Sequence, residues 1–126
     1  MIIGIGTDIL EIQRLQDAIE RNEQFLCRIL TPEERMYGEN RGAAALFYYA
    51  GRWAAKEAVS KMLGTGIGKD CSWQDISVRN HPSGEPEVIL TGKALEKAGK
   101  MGIRKIFLSI SHEKHYCVAT VIGCAG

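Results

Sequence analysis

The feature that most constrains this chain is the run from Ala43 to Leu63, AAALFYYAGRWAAKEAVSKML, which reads as one long helix. Turned about 100° per residue, its second half divides into two unlike faces. Ala55, Ala58, Val59 and Met62 form a small apolar side suited to packing on a sheet or a second helix. Trp53, Lys56, Glu57, Ser60, Lys61 and Gly64 form a side with an aromatic ring, a carboxylate, a hydroxyl and two ammonium groups. The plain reading of Glu57 and Lys61, spaced i, i+4, is one exposed ion pair of small worth. Gly51 costs about 1 kcal/mol against alanine inside a helix, so close packing is expected there. The helix ends in Gly64-Thr65-Gly66-Ile67-Gly68. One glycine is enough for a C-cap; three suggest that something approaches the backbone closely.

At 126 residues the chain is expected to be a single domain, residues 1–126, with one core. A formal net charge of +1 argues against non-specific nucleic-acid binding, which needs a basic excess. No apolar run approaches the roughly 20 residues of a membrane span. The N-terminus has no basic stretch of the signal-peptide kind, so a cytoplasmic protein is expected. Cys27, Cys71, Cys117 and Cys124 show no C-x-x-C spacing and read as free, mostly buried thiols.

Met1 to Leu10, MIIGIGTDIL, is a β-rich run broken by Gly4 and Gly6, with Asp8 its only charge. A carboxylate there is costly unless it is paired or metal-bound, or unless it caps the helix that follows. Ile9 to Arg28 reads as helix, with Ile12, Leu15, Ile19 and Leu26 as core candidates. Arg14, Arg21 and Arg28 recur every seventh residue on one stripe, either a solvated face or a docking surface for an acidic partner. Thr31-Pro32-Glu33-Glu34 is a capped start for a short helix ending near Gly38. Past the glycine loop, strands are expected at Trp73–Arg79 and Glu87–Leu90, around the turn His81–Pro86. A helix from Thr91 to about Lys100 turns Ala94, Leu95 and Ala98 inward. Ile106–Ser111 and Tyr116–Ile122 are further strands joined by a polar hairpin. Their apolar character goes beyond alternation, as in strands buried on both faces.

Three separated pieces, GIGTDIxxIxR, RWAAKEAxSKMLGTGIG and LSISH, together resemble the holo-acyl-carrier-protein synthases, the small group of 4′-phosphopantetheinyl transferases. The resemblance extends from Ile3 to Ile122. It implies an α+β fold, an antiparallel sheet packed against a long central helix, in a homotrimer with sites between subunits. It also implies transfer of 4′-phosphopantetheine from coenzyme A to a serine of apo-acyl carrier protein, for fatty acid biosynthesis, with release of 3′,5′-ADP and a need for Mg²⁺.

Residue by residue, the resemblance makes Asp8 and Glu57 the metal ligands and puts Lys61 at the reacting phosphate. Arg52, Trp53, Ser60, Gly64, Ile67 and Gly68 match the segment lining the coenzyme A site, with Trp53 standing where phenylalanine is commoner. Ser83 and Pro86 fall in the turn beside the adenine. Ser111 and His112 match a stretch that reaches the coenzyme from a neighbouring subunit. Arg14, Arg21 and Arg28 correspond to the face that receives the carrier protein. Because the glycine loop follows a helix C-terminus, it is no phosphate cradle, and Arg52, Lys56 and Lys61 are expected to bind phosphate by their side chains. Two rival readings use the same residues: a non-catalytic carrier-protein or nucleotide-binding module, and a Mg²⁺-dependent nucleotide hydrolase. Asp8, Glu57 and Lys61 all being present disfavours the first; the basic stripe disfavours the second.

Overall fold

The computed structural model describes all 126 residues, Met1–Gly126. Strand β1 (Ile2–Glu11) is followed by helices α1 (Ile12–Arg21), α2 (Phe25–Ile29), α3 (Pro32–Glu39) and the long α4 (Ala45–Leu63). Then come β2 (Ile76–Asn80), β3 (Pro86–Leu90), α5 (Gly92–Met101), β4 (Lys105–His112) and β5 (Tyr116–Cys124). β1, β5 and β4 form an antiparallel sheet in that order, and β2 and β3 form a separate hairpin. The architecture is α+β, and α4 lies across one face of the three-stranded sheet at the centre of the core.

The small residues of α4 explain how closely it seats. Ala54, Ala55, Ala58 and Val59 are fully buried. A Cβ built on Gly6 of β1 would stand 1.9 Å from the Ala58 carbonyl oxygen, and one on Gly4 would stand 2.9 Å from that of Met62. The strand backbone therefore rests directly on the helix backbone, and only glycine fits. Gly51 faces β4, where a Cβ would come 3.1 Å from Ile110 Cγ2, the close packing expected of it.

Four expected boundaries move. Ile9 to Glu11 continue β1 by pairing with Val118, Cys117 and Tyr116 of β5, so no helix starts at Ile9. The helix that follows is two: Asn22 is extended, and its side chain accepts a hydrogen bond from Gln24 N at 2.9 Å, a local turn that competes with helix. Trp73–Asp75 is a short 3₁₀ turn capped by Ser72 and Asp75, and β2 begins only at Ile76. The central helix opens with a 3₁₀ turn, Gly42–Ala44. Leu95, expected inside, is 54% exposed, because one step from buried Ala94 swings it outward.

Beneath the central helix, Lys56 is completely buried and pairs with Glu34 at 2.7 Å. Its ammonium also donates to the carbonyls of Ile29 (2.8 Å) and Trp73 (3.1 Å). Glu34 completes the capping box with Thr31 and accepts a bond from Val78 N at 2.7 Å. Burial pulls the Lys56 pKa down, and Glu34 opposes that shift. Lys56 is thus a structural cation, and it is not among the phosphate-binding groups expected from its place on the helix.

Replacing Gly6 with alanine is expected to destabilise the chain by about 3 kcal/mol or more, since backbone must move to admit the methyl group. Urea unfolding measures this. An unchanged midpoint would mean that β1 is not seated on α4 as described.

Candidate active site

The glycine-permitted contact between β1 and α4 brings two motifs together. Two residues beyond Gly6, Asp8 points to the same side of the strand, toward the helix. The Lys61 ammonium donates to Asp8 Oδ1 and to the Thr7 carbonyl, both at 3.0 Å. Asp8 is therefore not the N-cap of α1. Nor do Glu57 and Lys61 form a salt bridge; Lys61 pairs across to the strand instead.

Glu57 lies one turn before Lys61, half-buried. Its carboxyl is pushed above the ordinary glutamate range, first by burial and next by the negative charge of Asp8. Lys61 and Arg14 partly offset this. The same Asp8 charge, added to burial, raises the Cys117 thiol to about 11 and keeps it protonated. Among the other cysteines Cys71 is buried, Cys124 is partly buried, and Cys27 is exposed.

A second group of expected site residues gathers elsewhere. A cavity of about 270 Å³ is lined by Arg41, Arg52, Asn80, Pro86, Ile110 and His112, among others. Arg52 is only 5% exposed, donates to the Asn80 side chain, and lies 4.1 Å over the Tyr48 ring. His112 stacks on Phe47 of its own chain, ring centroids 5.0 Å apart and tilted 25°. Asp8, Glu57 and Lys61 do not line this cavity. The expected site residues of one chain thus fall into two groups, two carboxylates and a lysine beside β1, and an arginine with aromatic rings in the cavity beside β3.

Not every expected residue presents a group to a ligand. The Ser60 hydroxyl is fully buried and donates to the Glu57 carbonyl at 2.7 Å. Trp53 meets Phe25 edge-on at 5.1 Å, and the Arg14 guanidinium lies 5.8 Å above it. Gly64 and Gly66 adopt left-handed φ values of 78° and 66°, yet a Cβ on either would meet open space. The turn accounts for both without a closely approaching ligand. Gly68 also faces open space, and Ile67 packs on the core. Ser83 sits in the exposed turn, donating to Glu85 at 3.0 Å. Ser111 is exposed and lines a shallow depression with Ile9 and Val118. Arg14, Arg21 and Arg28 are all exposed, though Arg28 belongs to α2 and not to α1.

Sequence reasoning missed Tyr48, Asn80, Phe47 and Arg41. Tyr48 and Phe47 sit in an apolar helical run that looks like plain core, and nothing local to Asn80 announces a partner 28 residues away.

The residue pattern of the 4′-phosphopantetheinyl transferase superfamily matches residues 4–121. The chain belongs to that superfamily. Its relatives include the holo-[acyl-carrier-protein] synthase of Alteromonas mediterranea, 47% identical over 122 residues that cover 96% of this chain and 95% of the relative. The crystal structure of the Neisseria meningitidis synthase matches with a TM-score of 0.89 at 35% identity, covering 98% of both chains. A Bacillus anthracis synthase in complex with CoA (3′,5′-ADP) matches with a TM-score of 0.82 at 41% identity, covering 98% of this chain and 96% of that one. The fold and the kind of enzyme are thereby set: this is a phosphopantetheinyl transferase. No helix of the transferase is long and apolar enough to cross a membrane.

A carboxyl whose pKa is raised on folding favours the folded state below its ordinary range, and that contribution is lost as pH rises through the raised value. Glu57→Gln is therefore expected to melt higher than the parent chain at pH 7, with the difference closing as pH falls into the carboxylate range. Calorimetry at both pH values measures this. A Glu57→Gln chain that melts lower at pH 7 would mean the carboxylate is stabilised where it sits.

Proposed function

We propose that Asp8, Glu57 and Lys61 of the transferase carry the chemistry, with the coenzyme held between two subunits. The reaction moves 4′-phosphopantetheine from coenzyme A to a serine of apo-acyl carrier protein and releases 3′,5′-ADP. The carrying observation is the pair of carboxylates that β1 and α4 bring together, with one exposed lysine reaching across to Asp8.

The site residues fit Mg²⁺. No cluster of three or more His, Cys, Asp or Glu is present to enclose a metal. Two hard oxygen donors whose charges repel each other suit an ion that keeps water and takes phosphate oxygens as its remaining ligands. Asp8 and Glu57 would hold it, and when bound it supplies positive charge beside the reacting phosphate. Lys61, already aimed between the two motifs, donates to a phosphate oxygen as charge builds there. Arg52 and His112 line the cavity that takes the nucleotide end, with Pro86 beside the base. Such chemistry belongs to fatty acid biosynthesis in the cytoplasm, in a single domain spanning residues 1–126.

Two observations support a homotrimer. Asp8, Glu57 and Lys61 do not line the cavity of Arg52 and His112, and in this reading a neighbouring chain brings the two groups together around one coenzyme. The sheet face opposite α4 is also left uncovered, with Ile9 69% and Phe107 53% exposed and Ile5, Tyr116 and Val118 beside them. The double burial expected from the apolar β4 and β5 is completed by neighbouring subunits. Exposed Arg14, Arg21 and Arg28 face outward to receive the acidic carrier protein, where electrostatic complementarity acts on encounter and register.

Asp8→Ala and Glu57→Ala should each lower transfer more than tenfold, a barrier increase above ~1.4 kcal/mol, and chelation should do the same to the parent enzyme. Mass spectrometry of the carrier protein gives the rate. A variant retaining more than about a tenth of the activity would remove that carboxylate from the metal set.

Glu57→Ala and His112→Ala chains, each impaired alone, are expected to complement when refolded together. About a quarter of the sites in random trimers would regain both residues if each comes from a different subunit. With mixed trimers verified by mass, activity no higher than the mean of the two separate variants would rule out a shared site.

A further inference from the structure

Helix α2 has five residues, too few to be stable by itself. The last carbonyls of any helix have no N–H of their own to pair with. Here side chains from two distant elements take all of them. Gln74 Nε2 lies within hydrogen-bond distance of Cys27 O (3.2 Å), Arg28 O (3.2 Å) and Leu30 O (2.8 Å). Lys56 Nζ takes the remaining one, Ile29 O, at 2.8 Å. Two side chains thus cap four consecutive carbonyls, the amide sharing its hydrogens among three.

Lys56 has a second duty, the pair with Glu34. Gln74 has none. It stands exposed on the Trp73–Asp75 turn, lies outside the hydrophobic core and makes no other hydrogen bond. The transfer chemistry does not use it. What it holds is the element that carries exposed Arg28 and that presses Phe25 against Trp53, under the Arg14 guanidinium.

We propose that Gln74 is a positioning residue for carrier-protein docking: by capping the carbonyl end of α2, it holds Arg28 and the Phe25–Trp53–Arg14 stack in the arrangement the acidic partner meets. This rests on the docking reading given above. Without the amide, the three carbonyls turn to water and α2 frays. The partner then has to order the segment as it binds, which weakens affinity without touching the reacting groups.

Gln74→Met keeps the length of the side chain and its neutral charge but removes the donor. It is expected to raise KM for apo-acyl carrier protein about three- to tenfold, the size of one or two lost hydrogen bonds. The kcat and the coenzyme A Kd should stay within about twofold, a split that general destabilisation would not produce. Amide exchange at Arg28 and Leu30, which bond to Gln24 O and Leu26 O, should quicken more than in α4. Gln74→Asn, an amide one methylene short, should fall between parent and Gln74→Met. Unchanged KM in both variants overturns the proposal. So does a Gln74→Met enzyme whose coenzyme A Kd or kcat deteriorates as much as its KM. Arg28→Glu separates this proposal from the reading beneath it. If Arg28→Glu leaves carrier-protein affinity unchanged, α2 is not at the interface and both fail. If it weakens affinity while Gln74→Met does not, only the positioning role fails.

Discussion

The structure depends on a contact that has no room for a methyl group. Where β1 crosses α4, Gly6 lies against the Ala58 carbonyl and Gly4 against Met62, and any Cβ would separate strand from helix. That seat sets the height of the sheet over the central helix and the position of everything on β1. Asp8, two residues on, comes within hydrogen-bond distance of Lys61 because the backbones touch. The glycines of the first motif are therefore part of the site without contributing a functional group. Moving the strand outward by the width of a methyl group would break the Asp8–Lys61 contact and separate the two carboxylates.

A second constraint lies one residue from Glu57. Lys56 and Glu57 are neighbours on the helix, yet one ammonium is fully buried while the adjacent carboxylate reaches the surface. A buried cation is tolerated only when it is paired and its remaining protons have acceptors. Glu34 and the carbonyls of Ile29 and Trp73 supply these. The result ties α2, α3 and the turn before β2 to the central helix, and so links the element that bears Arg28 to the helix that bears Glu57 and Lys61. Glu34 bonds in turn to Val78 N in β2, the strand that ends in Asn80, where Arg52 is held. The cavity around Arg52 thus rests in part on one buried ion pair.

The expected site residues lie in two places on the single chain. The carboxylates and Lys61 sit on one flank of α4, and the cavity of Arg52, Pro86 and His112 on another. The uncovered apolar sheet face lies beside the strand that bears His112. The trimer proposed above would cover that face, and an interface between chains can also bring unlike flanks together.

The sequence alone determined the long helix, the short capped α3, the strands of both hairpins and the motifs that carry the family resemblance. Each rests on periodicity, on capping chemistry or on motifs that are local in the chain. What only the tertiary structure decided is which partner each charged residue takes. Glu57 and Lys61 are correctly spaced for an ion pair, yet Lys61 bonds to Asp8, 53 residues away. Lys56 shares a helical face with Glu57 in projection, but a pocket built from Glu34, Ile29 and Trp73 draws it inward. Ile9 to Glu11 have helical spacing, and ladder hydrogen bonds to β5 keep them in strand. Helical spacing specifies which side a residue leaves from; the elements packed against that side, brought there from distant parts of the chain, decide what it meets.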